Sequence, residues 1–280
     1  MTGAAGTGTE PRTLAPPERR SATVVENREV GAYRLISALD SDGPRDPRPG
    51  QFYMLAVDGG WGGDGERPYL PRAFSYARAT AAEDGVRLEF LLEAIGPGTR
   101  ALGRLRPGEG LALVGPLGVG FRPPPESARP VLVGGGIGTA PLLCLSEELG
   151  TGEVLLGFRA REHAEAAALF EGEVSVATDD GSVGRQALVT DLLRESLDRE
   201  GPDAAVHACG PPPMLEAVRA LCVERGVSAQ LALEAGMACG FGACFGCAVP
   251  TRDGYVRLCL EGPVLEADAL ETALFAGSGH

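Results

Sequence analysis

The chain has 280 residues, a hydrophobic fraction of 44% and a formal net charge of −13. This length accommodates two domains with substantial cores, and the acidic charge argues against nucleic acids and anionic membrane surfaces as partners. All 25 basic residues are Arg, which excludes Lys-based chemistry such as a Schiff base or a P-loop. Neither a secretory leader nor an apolar run of the ~18 residues that a membrane helix needs is present, so we expect a cytoplasmic protein.

The first part of the sequence predicts a disordered tail followed by a β domain. Residues 1–20 are rich in Gly, Thr, Ala and Pro and lack periodicity. Residues 21–124 contain short alternating runs separated by turn residues, a pattern typical of an antiparallel barrel or sandwich. One short helix is predicted over 99–105. The predicted strands are Ala22–Val30, Tyr33–Leu39, Gln51–Val57, Val86–Leu92 and Gly110–Val114.

Two features of this β domain suggest phosphate contacts. Arg72, followed three residues later by Ser75, is suited to clamping a diphosphate, although a solvated surface Arg is the ordinary alternative. Thr99 follows a Gly-Pro-Gly turn and is predicted to cap the short helix, whose free N–H groups would bind phosphate. An ordinary capped turn is the alternative there.

From residue 128 to 232 strands alternate with helices, which predicts a parallel sheet. The predicted strands are 131–133, 153–159, 173–178 and 204–209, with helices over 142–149, 161–170, 188–199 and 214–225. Ligands of such sheets bind beyond the carboxyl ends of the strands. All four ends carry Gly or small polar residues, namely Gly134–Thr139, Gly157–Arg159, Thr178–Asp180 and Cys209–Pro211.

The loop Gly134–Thr139 joins a strand to a helix, which is the arrangement that places a pyrophosphate at a helix N-terminus. It departs from the G-x-G-x-x-G pattern because Pro141 replaces the third Gly. Thr139 is predicted to cap the helix and Pro141 to lie in its first turn. Cys209 is predicted to face a bound nicotinamide, with a buried inert thiol as the alternative.

Four of the seven cysteines are clustered near the C-terminus, with gaps of four, two and eleven residues. This is the plant-type spacing of a [2Fe–2S] cluster, with Cys239, Cys244, Cys247 and Cys259 as ligands. Gly240, Gly242 and Gly246 allow the loop to wrap closely around sulfur. A zinc site, which usually has two paired-cysteine motifs, and disulfides remain as alternatives.

The remaining histidines and cysteines are not predicted to be functional. His163 lies in a charged helix and is expected to be solvated, whereas His207 is expected to be buried and hydrogen-bonded. Cys144 and Cys222 fall on helices and are expected to be core thiols.

Together these motifs resemble the ferredoxin-NADP reductase superfamily and, within it, the electron transfer subunits of NAD-dependent dihydroorotate dehydrogenases. The most specific match is MACGFGACFGC at 237–247 together with CLEGPV at 259–264. The resemblance implies an α+β multidomain chain. Its parts would be an antiparallel flavin-binding β-barrel (21–124), an α/β parallel-sheet nicotinamide-binding domain (128–232), a [2Fe–2S] module (233–266) and a tail (267–280).

The resemblance also implies which residues hold the cofactors. Arg72 would contact the FAD phosphate, Ser75 the isoalloxazine ring, and Gly98 with Thr99 the pyrophosphate. Related chains often carry a basic or polar residue where this chain has Glu93. The other implied FAD residues are Ala73, Phe74, Leu91, Leu92 and Glu93. The implied nicotinamide residues are Gly134, Gly135, Gly136, Ile137, Gly138, Thr139, Asp179, Asp180, Cys209, Gly210 and Pro211.

The implied function is a redox relay that needs no general base: electrons pass between a partner dihydroorotate dehydrogenase catalytic subunit and NAD+ through [2Fe–2S] and FAD. A hetero-oligomer of paired heterodimers is expected. Two alternatives stay open. One is a related subunit serving ferredoxin, a sulfide dehydrogenase or a hydrogenase. The other is a non-enzymatic zinc or redox-sensing scaffold. Arg159 and Arg161 are candidates for a 2′-phosphate contact, so NAD and NADP are not distinguished.

Overall fold

A computed structural model describes residues 18–44, 46–59, 70–201 and 203–275. They form two seven-stranded sheets and one two-stranded sheet. Most of the predicted N-terminal tail and the last five residues lie outside this range. Within it, no helix combines the length and the hydropathy that crossing a bilayer requires.

The first sheet is antiparallel and has the order β4-β3-β7-β1-β2-β6-β5. Its edge strand β4 approaches β6, so the sheet curls into an open barrel. The barrel interior is filled by Tyr53, Tyr76 and Phe90, whose rings meet edge to face. The strands are β1 (Arg20–Val30), β2 (Tyr33–Asp40), β3 (Phe52–Val57), β4 (Arg72–Ser75), β5 (Arg78–Ala82), β6 (Gly85–Leu92) and β7 (Gly110–Leu117).

The short helix of this barrel starts earlier than predicted. It is α1 (Pro97–Leu102), and its N-cap is Gly96. Thr99 is therefore the third residue of the helix, where its Oγ1 accepts a hydrogen bond from the Gly96 N–H at 2.9 Å. The prediction that Thr99 is the cap is wrong because Pro97, which lacks an N–H, already begins the helix.

The second sheet has the order β11-β10-β9-β8-β12-β13-β16 and is parallel except at β16. Helices pack on it, as alternating strands and helices predict. The strands are β8 (Arg129–Gly135), β9 (Glu153–Phe158), β10 (Val174–Thr178), β11 (Arg185–Gln186), β12 (Ala204–Cys209), β13 (Ser228–Ala232) and β16 (Val264–Glu266). The helices are α2 (Thr139–Leu149), α3 (Arg161–Ala164), α4 (Val189–Glu200) and α5 (Pro212–Arg225).

The helices of this part differ from the predictions by one or two residues in α4 and α5 and by more in α2 and α3. The N-cap of α2 is Gly138, because a 3-10 turn over Gly136–Gly138 leads directly into the helix. Thr139 is thus the first helical residue, and Pro141 lies in the first turn as predicted. The helix predicted over 161–170 is α3 followed by a 3-10 turn at Glu165–Leu169.

The C-terminal part is tied into the second sheet. A two-stranded hairpin, β14 (Ala248–Thr251) and β15 (Gly254–Arg257), carries the chain past the cysteines. The chain then returns as β16, which pairs antiparallel with β13. The boundaries predicted between domains stay predictions.

Residues 267–275 are packed and do not form the predicted tail. A 3-10 turn at Ala267–Ala269 precedes Leu270 and Ala273, both of which are buried in the core. Glu216 on α5 accepts hydrogen bonds from Thr272 Oγ1 at 3.0 Å and from the Ala273 N–H at 2.6 Å. The Arg219 guanidinium, followed by these donors, outweighs burial and lowers the pKa of Glu216 to about 2.

The segment between the two sheets is anchored through Arg122. Its carbonyl accepts hydrogen bonds from Gln230 Nε2 and His207 Nε2, each at 3.2 Å. Its N–H donates to Gln230 Oε1 at 2.8 Å. His207 is buried, as predicted. Burial lowers the pKa of His207, and the hydrogen bonds to the Arg122 and Ala205 backbones offset this only in part.

The cysteine loop packs directly on the barrel. Gly240 has a φ of +79°, and a Cβ there would lie 2.5 Å from the Cγ of Met54 on β3. A side chain at this position would meet both an unfavourable backbone conformation and a steric clash. The close approach of this loop to β3 therefore requires Gly at position 240.

We predict that His207 makes the fold acid-sensitive. Between its lowered folded pKa and the unfolded value of about 6.5, the unfolded chain binds more protons than the folded chain. The contribution of neutral His207 to the free energy of unfolding is fully present above about pH 6.5. It is lost as the pH falls through the folded pKa. Urea unfolding from pH 7 to pH 5 should show a smaller loss for His207→Gln than for the wild type. Equal pH slopes would contradict the assignment.

We predict that Gly240→Ala destabilises the fold by about 1–3 kcal/mol, because the new Cβ meets Met54 in a left-handed backbone. Urea unfolding measures this loss. Gly236→Ala is the matched control, since a Cβ there has no neighbour within 4 Å. Equal stability of the two variants would show that the loop does not press against β3 as described.

Candidate functional site

A cleft of about 860 Å³ lies at the carboxyl ends of the parallel strands, where the barrel meets the second sheet. The barrel contributes Tyr33 and Glu93 to its walls. The second sheet contributes residues that follow β8, β9, β10 and β12, as the strand-end rule predicts. These include Gly135, Gly136, Ile137, Arg159, Asp179, Pro211 and Met214.

The glycine loop after β8 forms a cradle that side chains would fill. A Cβ at Gly135 would lie 2.4 Å from Met214 Sδ, and one at Gly138 would lie 2.5 Å from the Cys209 backbone. Gly136, with a φ of +55°, lines the cleft and would direct a Cβ toward the Tyr33 hydroxyl. Gly135 and Gly138 thus let the loop pack tightly on the rest of the domain, whereas Gly136 leaves the loop backbone open to close approach by a ligand, which fits a dinucleotide phosphate. Gly134 and Thr139 are buried and support the loop from below.

The two aspartates after β10 have different positions. Asp179 lines the cleft, whereas Asp180 is fully exposed and its Oδ1 accepts a hydrogen bond from the Ser182 N–H at 2.9 Å. This contact with Ser182 lowers the pKa of Asp180. Of the two candidate arginines, Arg159 lines the cleft, and Arg161 donates to the Ser182 carbonyl. The structure therefore brings Asp179 and Arg159, but not Asp180 and Arg161, to the cleft.

Cys209 lies under the cleft floor. Its side chain is buried in the core with Leu142 and Ala232. Burial, with Glu234 nearby, raises the pKa of Cys209 well above its usual value. The thiol is thus protonated and inert at neutral pH. Gly210 packs against Met214. Of the three residues Cys209, Gly210 and Pro211, Pro211 is the one that lines the cleft.

His163 is buried, so the expectation that it is solvated is wrong. The barrel turn before β2 docks on α3: the Ala32 N–H donates to the Glu162 carbonyl at 2.9 Å. This contact encloses His163, which is 8% exposed, and its ring meets Tyr33 edge to face at 5.6 Å. A position within a charged helical segment does not reveal such a docking contact.

Glu93 lies at the junction of the two sheets. Its carboxylate is 3.5 Å from His163 Nε2 and 3.8 Å from Arg159 Nη2. Both partners belong to the second sheet, whereas Glu93 follows β6 of the barrel. Burial, with Glu93 nearby, also raises the pKa of Tyr33. The acidic residue that departs from the expected pattern is therefore matched by the Arg159 guanidinium and the His163 imidazole across the cleft.

The residues expected to hold flavin form a partly exposed edge of the barrel. Arg72, Phe74 and Ser75 are half-buried and Ala73 is exposed, because β4 is the edge strand of its sheet. Leu91 and Leu92 are buried, so their side chains belong to the core and leave only their backbone for a ligand. Gly98 and Thr99 lie in the first turn of α1. An open edge with an Arg beside small side chains fits a flavin nucleotide.

The four clustered cysteines come from the loop before β14 and from the turn after β15. The Cys239 and Cys244 thiols are in hydrogen-bond contact, and the Cys259 N–H lies 3.5 Å from Cys247 Sγ. No three His, Cys, Asp or Glu side chains among the described residues are placed around one metal ion. Two pairs of thiols fit a cluster with two irons better than they fit a single zinc ion.

Backbone N–H groups point at this site. Burial opposes the charged form of Cys239, but hydrogen bonds from Cys244, Phe241 and the Ala243 backbone outweigh it and hold the pKa of Cys239 at about 7. Burial and the contact with Cys247 raise the pKa of Cys259 to about 12. The loop therefore favours the thiolate form at Cys239 before any metal binds, which suits iron ligation.

Comparison with known proteins identifies the cysteine module. Residues 234–271 match the family model described as the iron-sulfur cluster binding domain of dihydroorotate dehydrogenase B. This match covers all four clustered cysteines, β14 to β16 and the first part of the packed segment, up to residue 271.

Similar solved structures share the fold. One, from a study of flavin-based electron bifurcation by NADH-dependent reduced ferredoxin-NADP oxidoreductase, has a TM-score of 0.74 at 23% identity and covers 90% of each chain. The ferredoxin reductase of carbazole 1,9a-dioxygenase has a TM-score of 0.64 at 23% identity, covering 75% of this chain and 66% of the other. The predicted order of barrel, α/β domain and C-terminal module is confirmed.

Curated relatives match along most of the chain. The dihydroorotate dehydrogenase B (NAD+) electron transfer subunit of Caldanaerobacter subterraneus subsp. tengcongensis is 34% identical, covering 89% of this chain and 97% of the relative. The subunit of the same name from Clostridium acetobutylicum is 35% identical, covering 86% and 92%. On this evidence the chain belongs to the family of dihydroorotate dehydrogenase B electron transfer subunits.

Proposed function

We propose that this chain passes electrons between a dihydroorotate dehydrogenase catalytic subunit and NAD+ in pyrimidine biosynthesis. The proposal is supported by the relatives' names and by the family match of the cysteine module. FAD and a [2Fe–2S] cluster, when bound, supply the two-electron and one-electron chemistry. We place the protein in the cytoplasm, where such thiols stay reduced.

One observation carries the proposal: Met54 lies between the cysteine loop and the strand proposed to hold flavin. Its side chain packs on Gly240, and its backbone pairs with Ala73 on β4. Neighbouring strands lie about 4.8 Å apart. The two proposed cofactor sites are therefore separated by one strand and one layer of side chains, which suits direct electron transfer between them.

The chain's own residues would hold the flavin and orient it. We assign Arg72 to a phosphate, Ser75 to the ring, and Gly98 with Thr99 to the pyrophosphate. The half-exposed edge at β4 supports these assignments. Leu91 and Leu92 would contribute through their backbone.

NAD(H) would bind in the cleft, with its phosphates against the Gly134–Thr139 loop and its nicotinamide end toward the barrel. Gly136, Ile137, Asp179 and Pro211 line this cleft and support the assignment. Cys209 would act only as a buried wall beneath it, and Asp180 would order the loop after β10. Hydride exchange between two stacked cofactors requires no protein base.

The cysteine module also offers a surface for the catalytic subunit. Phe245 is 63% exposed and Tyr255 is 79% exposed, and Cys244, which directly precedes Phe245, is also exposed. Tyr255 and Arg257 share a face of β15, and Arg257 lies over the Phe245 ring, so both aromatic rings lie on one side of the hairpin. Exposed aromatic residues of this kind are typical interface anchors.

We predict that Cys239→Ser abolishes electron transfer to the catalytic subunit, because one ligand of the cluster is removed. Iron and acid-labile sulfide should fall, while the flavin absorption and the NADH-dependent reduction of a dye should persist. Cys144→Ala, which changes a half-buried thiol outside the loop, is the control. Wild-type protein without iron and sulfide after anaerobic purification would falsify the relay.

We predict that Tyr255→Ser weakens binding of the catalytic subunit by about 1–2 kcal/mol, or roughly tenfold, as expected for an aromatic interface anchor. Titration calorimetry with the purified catalytic subunit measures this. Val223→Ser, an exposed apolar position on α5, is the matched control. An unchanged dissociation constant for the Tyr255 variant would place the docking surface elsewhere.

A further inference from the structure

The side chain of Arg257 connects the two segments that carry the clustered cysteines. It is the last residue of β15, two positions before Cys259. Its Nη1 donates to the Gly242 carbonyl at 3.2 Å, and its guanidinium carbon lies 5.1 Å from the centre of the Phe245 ring. Arg257 thus contacts the cysteine loop on both sides of Cys244.

Both of these loop contacts involve residues in an unusual backbone conformation. Gly242 has a φ of +86° and Phe245 a φ of +57°, and Phe245 is the one non-Gly residue in the left-handed region among the residues described. A bulky residue is rarely found there unless its surroundings hold it. The guanidinium stacked on its ring is such a support.

Glu261 fixes the arginine from the other side. Its Oε1 is 3.2 Å from Arg257 Nη2, and its Oε2 accepts a hydrogen bond from the Arg257 N–H at 2.8 Å. The pair lies beside four thiols that would carry negative charge as cluster ligands. The guanidinium is about one-third exposed, so water only partly screens its charge.

We propose that Arg257 is a positioning residue of the cluster site that also sets the reduction potential of the cluster, with Glu261 opposing its charge. The proposal rests on the proposed function, because it requires the [2Fe–2S] cluster. When the cluster accepts one electron, the negative charge at the site increases by one. A nearby cation stabilises this reduced form and raises the potential, and a nearby anion lowers it.

The test is a redox titration of the intact flavoprotein, following the electron paramagnetic resonance signal of the reduced cluster. In Arg257→Gln the cation is lost and the Glu261 carboxylate is left unpaired. We expect about a tenfold lower ratio of reduced to oxidised cluster at a fixed potential, which corresponds to a decrease of about 59 mV. In Glu261→Gln the cation is left unopposed, and we expect a shift of opposite sign.

Arg257→Lys separates the two roles of the residue. It keeps the positive charge but loses the planar stacking and the forked hydrogen bonds. We expect its reduction potential to stay close to that of the wild type, while a chelator removes iron faster. Arg252→Gln, an exposed position in the turn of the same hairpin, should change neither quantity.

Opposite shifts for the Arg257→Gln and Glu261→Gln variants are the sign of charge tuning, since general damage to the loop would shift both in one direction. Suppose that the wild type holds a cluster, and that the reduction potentials of Arg257→Gln and Glu261→Gln either equal that of the wild type or shift in the same direction. The inference is then overturned while the relay stands. If Arg257→Gln fails to retain a cluster, the Glu261→Gln and Arg257→Lys variants decide the question. Absence of iron from the wild type would instead refute the proposed function.

Discussion

The close packing of the cysteine loop on β3 is the contact on which the proposed relay depends. Gly240 allows the loop backbone to reach Met54, and Met54 lies opposite Ala73 on the strand that we assign to flavin. A side chain at position 240 would force the loop away from the barrel. The distance between the one-electron and two-electron sites is thus set by the absence of a Cβ, and the electron path follows from steric fit rather than from any charged group.

A second set of contacts holds the barrel against the second sheet. The Arg122 carbonyl is held by His207 and Gln230 at the centre of the parallel sheet. On the opposite side, Arg78 of β5 donates to Glu147 on α2 and, at 2.7 Å, to the Leu169 carbonyl. Glu93 adds a third link at the cleft itself. Since nicotinamide and flavin would be bound by different units, these links determine how the two cofactors face each other.

The features of the fold that depend on local sequence pattern are predicted from the sequence. Period-two runs located the barrel strands, alternating strands and helices predicted the parallel sheet, and the cysteine spacing predicted the cluster site. What it did not predict depends on contacts between distant segments. His163 is buried because the turn before β2 docks on α3, and residues 267–275 are packed because Glu216 binds Thr272 and Ala273. None of these distant contacts leaves a periodic signal. The error at Thr99 and Thr139 is local: neither residue is a cap, because Pro97 and a 3-10 turn start their helices earlier.

The antiparallel pairing of β13 with β16 has a consequence for how such a chain is assembled. Ala232 lies opposite Val264, and the Leu233 N–H bonds to the Pro263 carbonyl at 2.9 Å, so the whole cysteine excursion begins and ends at the same place on one sheet edge. The cysteine segment between β13 and β16 is therefore an insertion in the topology of the sheet. A tight turn could join these two neighbouring antiparallel strands directly. A reductase scaffold can therefore carry such a module without rearranging the parallel part of its hydrogen-bond ladder.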